Sequence, residues 1–300
     1  MTKLTVGLIG IGKMGWPMAA NLVRAGFSVL PWDSDAAVRE RFSREFGTPN
    51  FSDIGDLAGA SIIVTMLPTG AIVRQALTEG GAGSLAEKLA PGTVVIDMSS
   101  SEPIGTQELG KILARRGEVL VDAPVSGGVA RAVDGSLAIM IGSNDDAAVE
   151  RAEPVLKAMG QRLFRTGALG SGHAMKALNN LVSATQFGVV SEALIIGRRF
   201  GLDPAVMVEI MNASTGRSFA TEIPIKQHVL TGAFNTGFAL GLMTKDVKIA
   251  AELADGIGVP SPIGHLVHDL LARAGEQIGP QADHTRAFTC WEEWANARGR

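Results

Sequence analysis

A single cysteine, Cys290, stands among 300 residues. No disulfide can form within the chain, which excludes a stapled secreted scaffold and makes a reducing cytoplasm the expected compartment. Positive charge is also in short supply. Lys and Arg number 27 against 30 Asp and Glu, a formal net charge of -3, so the basic face that a nucleic-acid partner requires is missing. An unbroken apolar run of bilayer length is lacking as well. The longest, Leu181 to Gly197, is interrupted by Gln186 and Glu192, which a hydrocarbon core would penalise, so no membrane partner is expected. The opening MTKLTVGLIGIGKMG has too short an apolar run for a secretory signal, and no small-residue cleavage site precedes Lys13. Internal repeats and low-complexity linkers are absent too. What is abundant is apolar residues, at 46%, and glycine, at 37 positions, enough for a sizeable core.

The first half alternates short apolar runs with helix-period segments. Leu4–Ile9, Ser28–Trp32, Ser61–Leu67, Val94–Asp97 and Val119–Ala123 are bounded by Gly, Pro, Asp or Ser, as strands are. Between them Met14–Ala25, Ala36–Glu45, Ala71–Leu77 and Ile104–Arg116 carry helical periodicity. This alternation predicts right-handed crossovers and a parallel, doubly wound α/β sheet, with Leu137–Ile141 and Arg162–Phe164 as edge strands. After Gly167 no strand is expected. A long helix from Gly172 to Phe200 is followed by helices at Pro204–Asn212, Lys245–Ile257 and Ser261–Gly275. The expected organisation is a Rossmann-type nucleotide domain over 1–165 and an all-helical domain over 166–300, joined by a long interdomain helix. That helix is apolar on more than one face and needs cover, which points to a homodimer or homotetramer.

Gly10-x-Gly12-x-x-Gly15 follows a predicted strand and opens a predicted helix. In that setting the first glycine permits a tight turn, the second admits a pyrophosphate and the third allows close helix–strand packing. The helix N-terminus offers its N–H groups to the phosphates. The cofactor-binding residues expected here are Gly10, Ile11, Gly12, Met14 and Gly15. Asp33 ends the second strand, where an acid accepts hydrogen bonds from an adenosine ribose and repels a 2′-phosphate. No arginine follows before Arg39, so NAD is expected over NADP. Asp33 is alternatively a cap for the helix from Ala36, a role open to Ser34 or Asp35 too.

The segment GSGHAMKALNNLV, residues 170–182, sets Lys176 among apolar neighbours. Either its stem packs while the ammonium reaches water, or the ammonium points into a site and performs proton chemistry. Lys176 and Asn180 lie four apart and share a helix face. His173, three before Lys176, is a rival base but reads better as a helix-start residue, Gly170 and Gly172 allowing a sharp turn that exposes the first N–H groups. His265, His268 and Asp269 have a conceivable metal spacing, yet histidines three apart on a surface helix are usually plain polar positions; no metal is expected. Cys290 is assigned to packing.

Taken together, six collinear segments resemble the β-hydroxyacid dehydrogenase family, which includes 3-hydroxyisobutyrate dehydrogenases and tartronate semialdehyde reductases. These are GLIGIGKMGWPMAANLVRAG, MLPTGAIV, IDMSSSEP, DAPVSGGVARAVDGSLAIMIG, GSGHAMKALNN and KDVKIA, spread over nearly the whole chain. The resemblance implies that Lys176 transfers the proton and Asn180 holds the substrate. It also implies that Ser126, Gly127 and Gly128 bind the substrate carboxylate, and that Leu67, Pro68 and Ser100 line the cofactor. The resemblance further implies that Lys245 lies near the nicotinamide and the substrate, with Asp246 as its support. Ser100 stands where threonine is commoner, and Arg131 where a small residue is usual. Arg131 is assigned to the solvated surface in preference to reading a second anion, and Arg217 lies in a segment where family members differ.

The expected function is therefore an NAD-dependent oxidoreductase that interconverts a small 3-hydroxy acid and its semialdehyde. When hydride leaves the alcohol, the hydroxyl proton needs a base. A lysine serves only with a pKa well below about 10.4, which burial and a second cation such as Lys245 would produce. The alternative enzyme is an NADH-linked reductase of a succinic-semialdehyde-like or sulfonated aldehyde. A non-catalytic NAD-binding protein would lack the Lys176–Asn180 pair, and an imine reductase would replace the lysine.

Overall fold

A computed structural model describes residues 4–79 and 83–297; residues 1–3, at the head of the segment weighed as a signal, lie outside them. The chain divides into two compact units, Met1–Lys176 and Ala177–Arg300.

The first unit is built on a sheet with strands β1 (Thr5–Ile9), β2 (Ser28–Trp32), β3 (Ile62–Thr65), β4 (Val94–Asp97), β5 (Val119–Asp122), β6 (Val125–Ser126), β7 (Leu137–Gly142) and β8 (Gly160–Gly167). Their order is β2-β1-β3-β4-β5-β7-β6, with β8 on the other side of β7. The first five are parallel. Strands β3 and β4 are buried at every position, the signature of a sheet covered on both faces.

Side-chain alternation sorts these strands into two cores. Val6, Leu8, Ile62, Val64, Val94, Ile96 and Val121 face helices α1 (Gly15–Arg24) and α2 (Ala36–Phe46). On the opposite face Ile9, Ile63, Val95 and Leu120 meet α3 (Gly70–Thr78), α4 (Leu85–Lys88) and α5 (Pro103–Ala114). The doubly wound sheet is as the sequence pattern predicts.

The far edge departs from it. The chain leaves β5 through the two-residue β6 and the six-residue α6 (Gly128–Val133), and β7 then runs antiparallel to both β5 and β6. A helix that short rises about 9 Å, too little to carry the chain back for a parallel return. Helix α7 (Asp146–Met159), with no counterpart among the expected elements, joins β7 to a parallel β8 and completes the first core with Ala148, Val155 and Met159.

Helix α8 (Ser171–Phe200) runs from the first unit into the second. It has the length and mean hydropathy, 1.2, to cross a bilayer by composition alone, and 44% of that window is buried within the protein. The second unit continues with α9 (Pro204–Ala213), a π-helical segment Thr221–Val229, α10 (Leu240–Gly256), α11 (Pro262–Ile278) and α12 (Ala287–Ala297). Phe187, Leu194, Ile225, Leu240, Val247 and Cys290 lie in its core. The π-helical segment and α12 are not legible as helical runs in the sequence, and Pro224 inside the former removes an N–H from any α-helical ladder.

Candidate active site

The glycine-rich turn is shaped so that side chains are barred where the backbone must close and absent where a ligand must approach. Gly10 has φ +92°, and a Cβ there would come within 2.4 Å of the Met66 carbonyl and 2.9 Å of Leu67 Cδ2. A Cβ on Gly15 would meet the Gly10 carbonyl at 1.8 Å. At Gly12 nothing lies within 4 Å of the same position, so the backbone is open to close approach. Met14, at the head of α1, offers no side-chain hydrogen bond to the helix, which leaves that end of the dipole to an anion. These features fit the pyrophosphate of a dinucleotide.

Asp33 is drawn into the same turn. Its Oδ2 accepts from the Ile11 N–H at 2.9 Å and its Oδ1 from the Asp35 N–H at 3.0 Å. The helix after it is capped by Asp35, whose Oδ1 accepts from the Ala37 N–H at 2.9 Å, so the capping role falls to Asp35. The Arg39 guanidinium donates to the carbonyl oxygens of Asp33 and Ser34 at 2.6 and 3.3 Å.

The next loops are tied together by a buried carboxylate that sequence reasoning missed. Asp97, at the end of β4, accepts from Thr65 Oγ1 and the Ser99 N–H through Oδ1, at 2.9 and 3.0 Å, and from Ser101 Oγ through Oδ2 at 2.7 Å. Ser99 Oγ in turn accepts from the Leu67 N–H at 2.9 Å. One carboxylate thus organises both the Leu67–Pro68 loop and the segment carrying Ser100. At the end of β6, Gly127 and Gly128 have φ +134° and +67°, conformations glycine adopts freely. Both are exposed at the start of α6 beside Ser126. The Arg131 stem folds back there: a Cβ on Gly127 would fall 2.5 Å from its Cδ.

The start of α8 differs from expectation. Its first N–H groups are not exposed. Asp122, last in β5, accepts from the Gly170 N–H at 2.7 Å and from the His173 N–H at 2.8 Å. Burial raises the Asp122 carboxyl above its ordinary value, against the pull of nearby His173 and of these N–H groups. Gly172 must be glycine, since a Cβ would lie 2.3 Å from the Met140 carbonyl. His173 lies in the first turn of α8, as expected, and is 1% exposed. Lys176 follows one turn later, half-buried.

In the second unit Asn180 and Asp246, 66 residues apart, meet directly: Asn180 Nδ2 donates to Asp246 Oδ2 at 2.5 Å. Asp246 Oδ1 is 3.1 Å from Lys245 Nζ. Asp246 is 3% exposed and Asn180 9%, so one buried carboxylate orients both an amide and an ammonium. Elsewhere in this unit His265 pairs with Asp255 and His268 with Asp269, each at 3.1 Å. Arg217 pairs with Glu222 at 2.6 Å.

A phosphate-ready turn, a strand-end acid and a helix bearing a lysine one turn before an anchored asparagine are the parts of a dinucleotide-dependent oxidoreductase. Residues 5–167 match the family model described as the NAD binding domain of 6-phosphogluconate dehydrogenase. Residues 170–291 match that of NAD-binding of NADP-dependent 3-hydroxyisobutyrate dehydrogenase. The chain is 35% identical over 294 residues to 2-(hydroxymethyl)glutarate dehydrogenase of Eubacterium barkeri, covering 97% of this chain and 96% of that one. It is 35% identical over 276 residues to human mitochondrial 3-hydroxyisobutyrate dehydrogenase, covering 90% and 81%. The solved structure of Mycobacterium tuberculosis 3-hydroxyisobutyrate dehydrogenase with L-serine superposes with a TM-score of 0.89 at 30% identity, covering 97% of this chain and 99% of that one. The chain belongs to the β-hydroxyacid dehydrogenase family and is an oxidoreductase acting on CH–OH with an NAD(P) acceptor.

Proposed function

We propose that this enzyme interconverts a small 3-hydroxy acid of the 3-hydroxyisobutyrate type and its semialdehyde, with NAD as the preferred cofactor, in the cytoplasm. The observation that carries the reading is Asn180: its amide is anchored by buried Asp246 one helical turn from Lys176, on the same face of α8.

A nicotinamide dinucleotide, when bound, would supply the acceptor for the hydride leaving the carbinol carbon. In that direction Lys176 takes the hydroxyl proton as the carbonyl forms, and in reverse its ammonium returns the proton to the developing alkoxide. Asn180 orients the hydroxyl, and Asp246 keeps the amide from rotating away. The N–H groups of the exposed residues Gly127 and Gly128, with Ser126, take the carboxylate. Lys245 adds positive charge near the reacting carbon. The cofactor would be held by Gly10, Ile11, Gly12, Met14 and Gly15 at its pyrophosphate and Asp33 at its ribose, with Leu67, Pro68 and Ser100 alongside. Asp33 sets a negative charge where a 2′-phosphate would fall. We assign residues 1–165 to cofactor binding and 166–300 to substrate binding and oligomerisation. The exposed Val182, Val189 and Ile196, seven residues apart on α8, support a homodimer or homotetramer.

The stem of Arg131 against Gly127 favours a second reading, a substrate with a distal anion such as a succinic-semialdehyde-like or sulfonated aldehyde. The Eubacterium barkeri relative is named for a substrate of the dicarboxylate kind.

Nicotinamide absorbance with NAD and then NADP, over 3-hydroxyisobutyrate, glycerate, serine, threonate, 4-hydroxybutyrate and dihydroxypropanesulfonate, tests both. Turnover of a monocarboxylate with NAD supports the first reading; turnover of the sulfonate alone supports the second. Folded Lys176→Ala protein with largely intact turnover would overturn the assigned proton role.

A further inference from the structure

Among the described residues of the first unit, His173 is a buried ionisable side chain lying between two buried carboxylates, and the chemistry above does not use it. Its side chain is 0% exposed. Nδ1 lies 2.8 Å from Thr106 Oγ1 and 3.9 Å from Asp122 Oδ2. Nε2 has no hydrogen-bond partner and faces Asp97 Oδ2 across 3.6 Å.

The Thr106 hydroxyl fixes which way the ring is used. It has one proton and two contacts, His173 Nδ1 at 2.8 Å and the Glu102 carbonyl at 3.1 Å. Given to the nearer Nδ1, that proton leaves the neutral ring's own proton on Nε2, where it points toward Asp97 Oδ2. Nε2 thus becomes the ring's contact with Asp97, the carboxylate that positions Thr65, Ser99, Ser101 and, through Ser99, the Leu67 N–H. A buried polar atom without a partner is costly unless it serves a purpose.

We propose that His173 is a positioning residue of this dehydrogenase. Through Nε2 and Asp97 it ties the first turn of α8, three residues before Lys176, to the loops assigned to the cofactor. This inference rests on the role given to Lys176 for its effect on turnover, but not for its effect on cofactor affinity.

The test uses the full chain with His173→Asn, which keeps an amide near the Nδ1 position, and His173→Gln, which keeps one near Nε2. Thr106→Val and Thr106→Ser form a second pair. NADH and NADPH affinities are measured by fluorescence without substrate, alongside kcat, KM and melting temperature. His173→Asn is expected to lower kcat about tenfold and weaken cofactor binding about fivefold, at a KM for the hydroxy acid changed by less than about twofold, since small displacements of a reacting group are expensive. His173→Gln should restore most of both, and the two variants should melt alike. Thr106→Val should lower kcat about threefold and Thr106→Ser should rescue it. If the His173 variants do not fold, the Thr106 pair decides alone. Folded His173→Asn with kcat and cofactor affinity both within about twofold of the natural chain overturns the proposal, as does an unchanged Thr106→Val. Should Lys176→Ala retain turnover, the proton role falls while the cofactor-affinity arm still judges His173.

Discussion

Asp97 and Asp122 are register partners on adjacent parallel strands, both ending their strands and both buried. Two carboxylates side by side repel unless donors surround them. Here Thr65, Ser99 and Ser101 serve one, and the N–H groups of Gly170 and His173 serve the other. The pair therefore joins the C-terminal ends of β4 and β5 to the first turn of the helix that carries Lys176.

The glycine turn separates folding from binding. Gly12→Ala adds a methyl in open space and should leave the melting temperature within a degree or two while NADH affinity falls by more than about tenfold, the methyl occupying the pyrophosphate's approach. Gly15→Ala drives a methyl into the Gly10 carbonyl and should destabilise the protein by about 2–3 kcal/mol. Calorimetry and fluorescence titration on the same samples check both.

Asp246 is expected to act through Asn180 and Lys245. Asp246→Asn leaves the shape but removes the charge that holds both groups, and should lower kcat/KM by about 10- to 100-fold with little change in circular dichroism, in the range found for supporting polar partners. Asn180→Ala should cost about 100-fold, comparable to removing one preorganised donor. A double variant no worse than either single one would show that the two residues act as a unit.

Replacing Asp33 should shift cofactor choice. Asp33→Ser removes the negative charge facing a 2′-phosphate and should narrow the NAD-over-NADP ratio of kcat/KM by about tenfold or more, one unfavourable charge contact being worth at least about 1.4 kcal/mol. Because Asp33 also accepts from the Ile11 N–H, NAD affinity should fall at the same time. Unchanged ratios would remove Asp33 from the selection of cofactor.

Glu118 gives a pH prediction. It is 2% exposed, both carboxylate oxygens lack hydrogen-bond partners, and burial pushes its carboxyl above the ordinary 4.5. A raised folded-state pKa means that the native protein holds the proton more tightly than the unfolded chain. The associated stability is complete below the unfolded value and disappears as pH rises through the folded one. Glu118→Gln should melt higher than the natural chain at neutral pH, and that advantage should shrink as pH falls through the raised folded value and be gone below about 4.5. Melting curves across that range decide it; an advantage independent of pH would contradict the assignment.

What the sequence determined by itself was local and periodic. Short apolar runs bounded by turn residues, helical runs of period 3.6 and Gly10-x-Gly12-x-x-Gly15 predict the Rossmann sheet, the helical second half and the cofactor turn, because their physics is confined to a few neighbouring residues. Lys176 and Asn180 are legible together for the same reason, being one turn apart. Short elements escaped: β6, α6 and the π-helical segment around Pro224 form where tertiary contacts outweigh weak local preference. The polar framework was decided only by the fold. Nothing near Asp97 or Asp122 in the chain announces His173, and nothing near Asn180 announces Asp246. Such contacts span 51 to 76 residues in sequence, and their strength comes from burial, which exists only once the strands and helices have met.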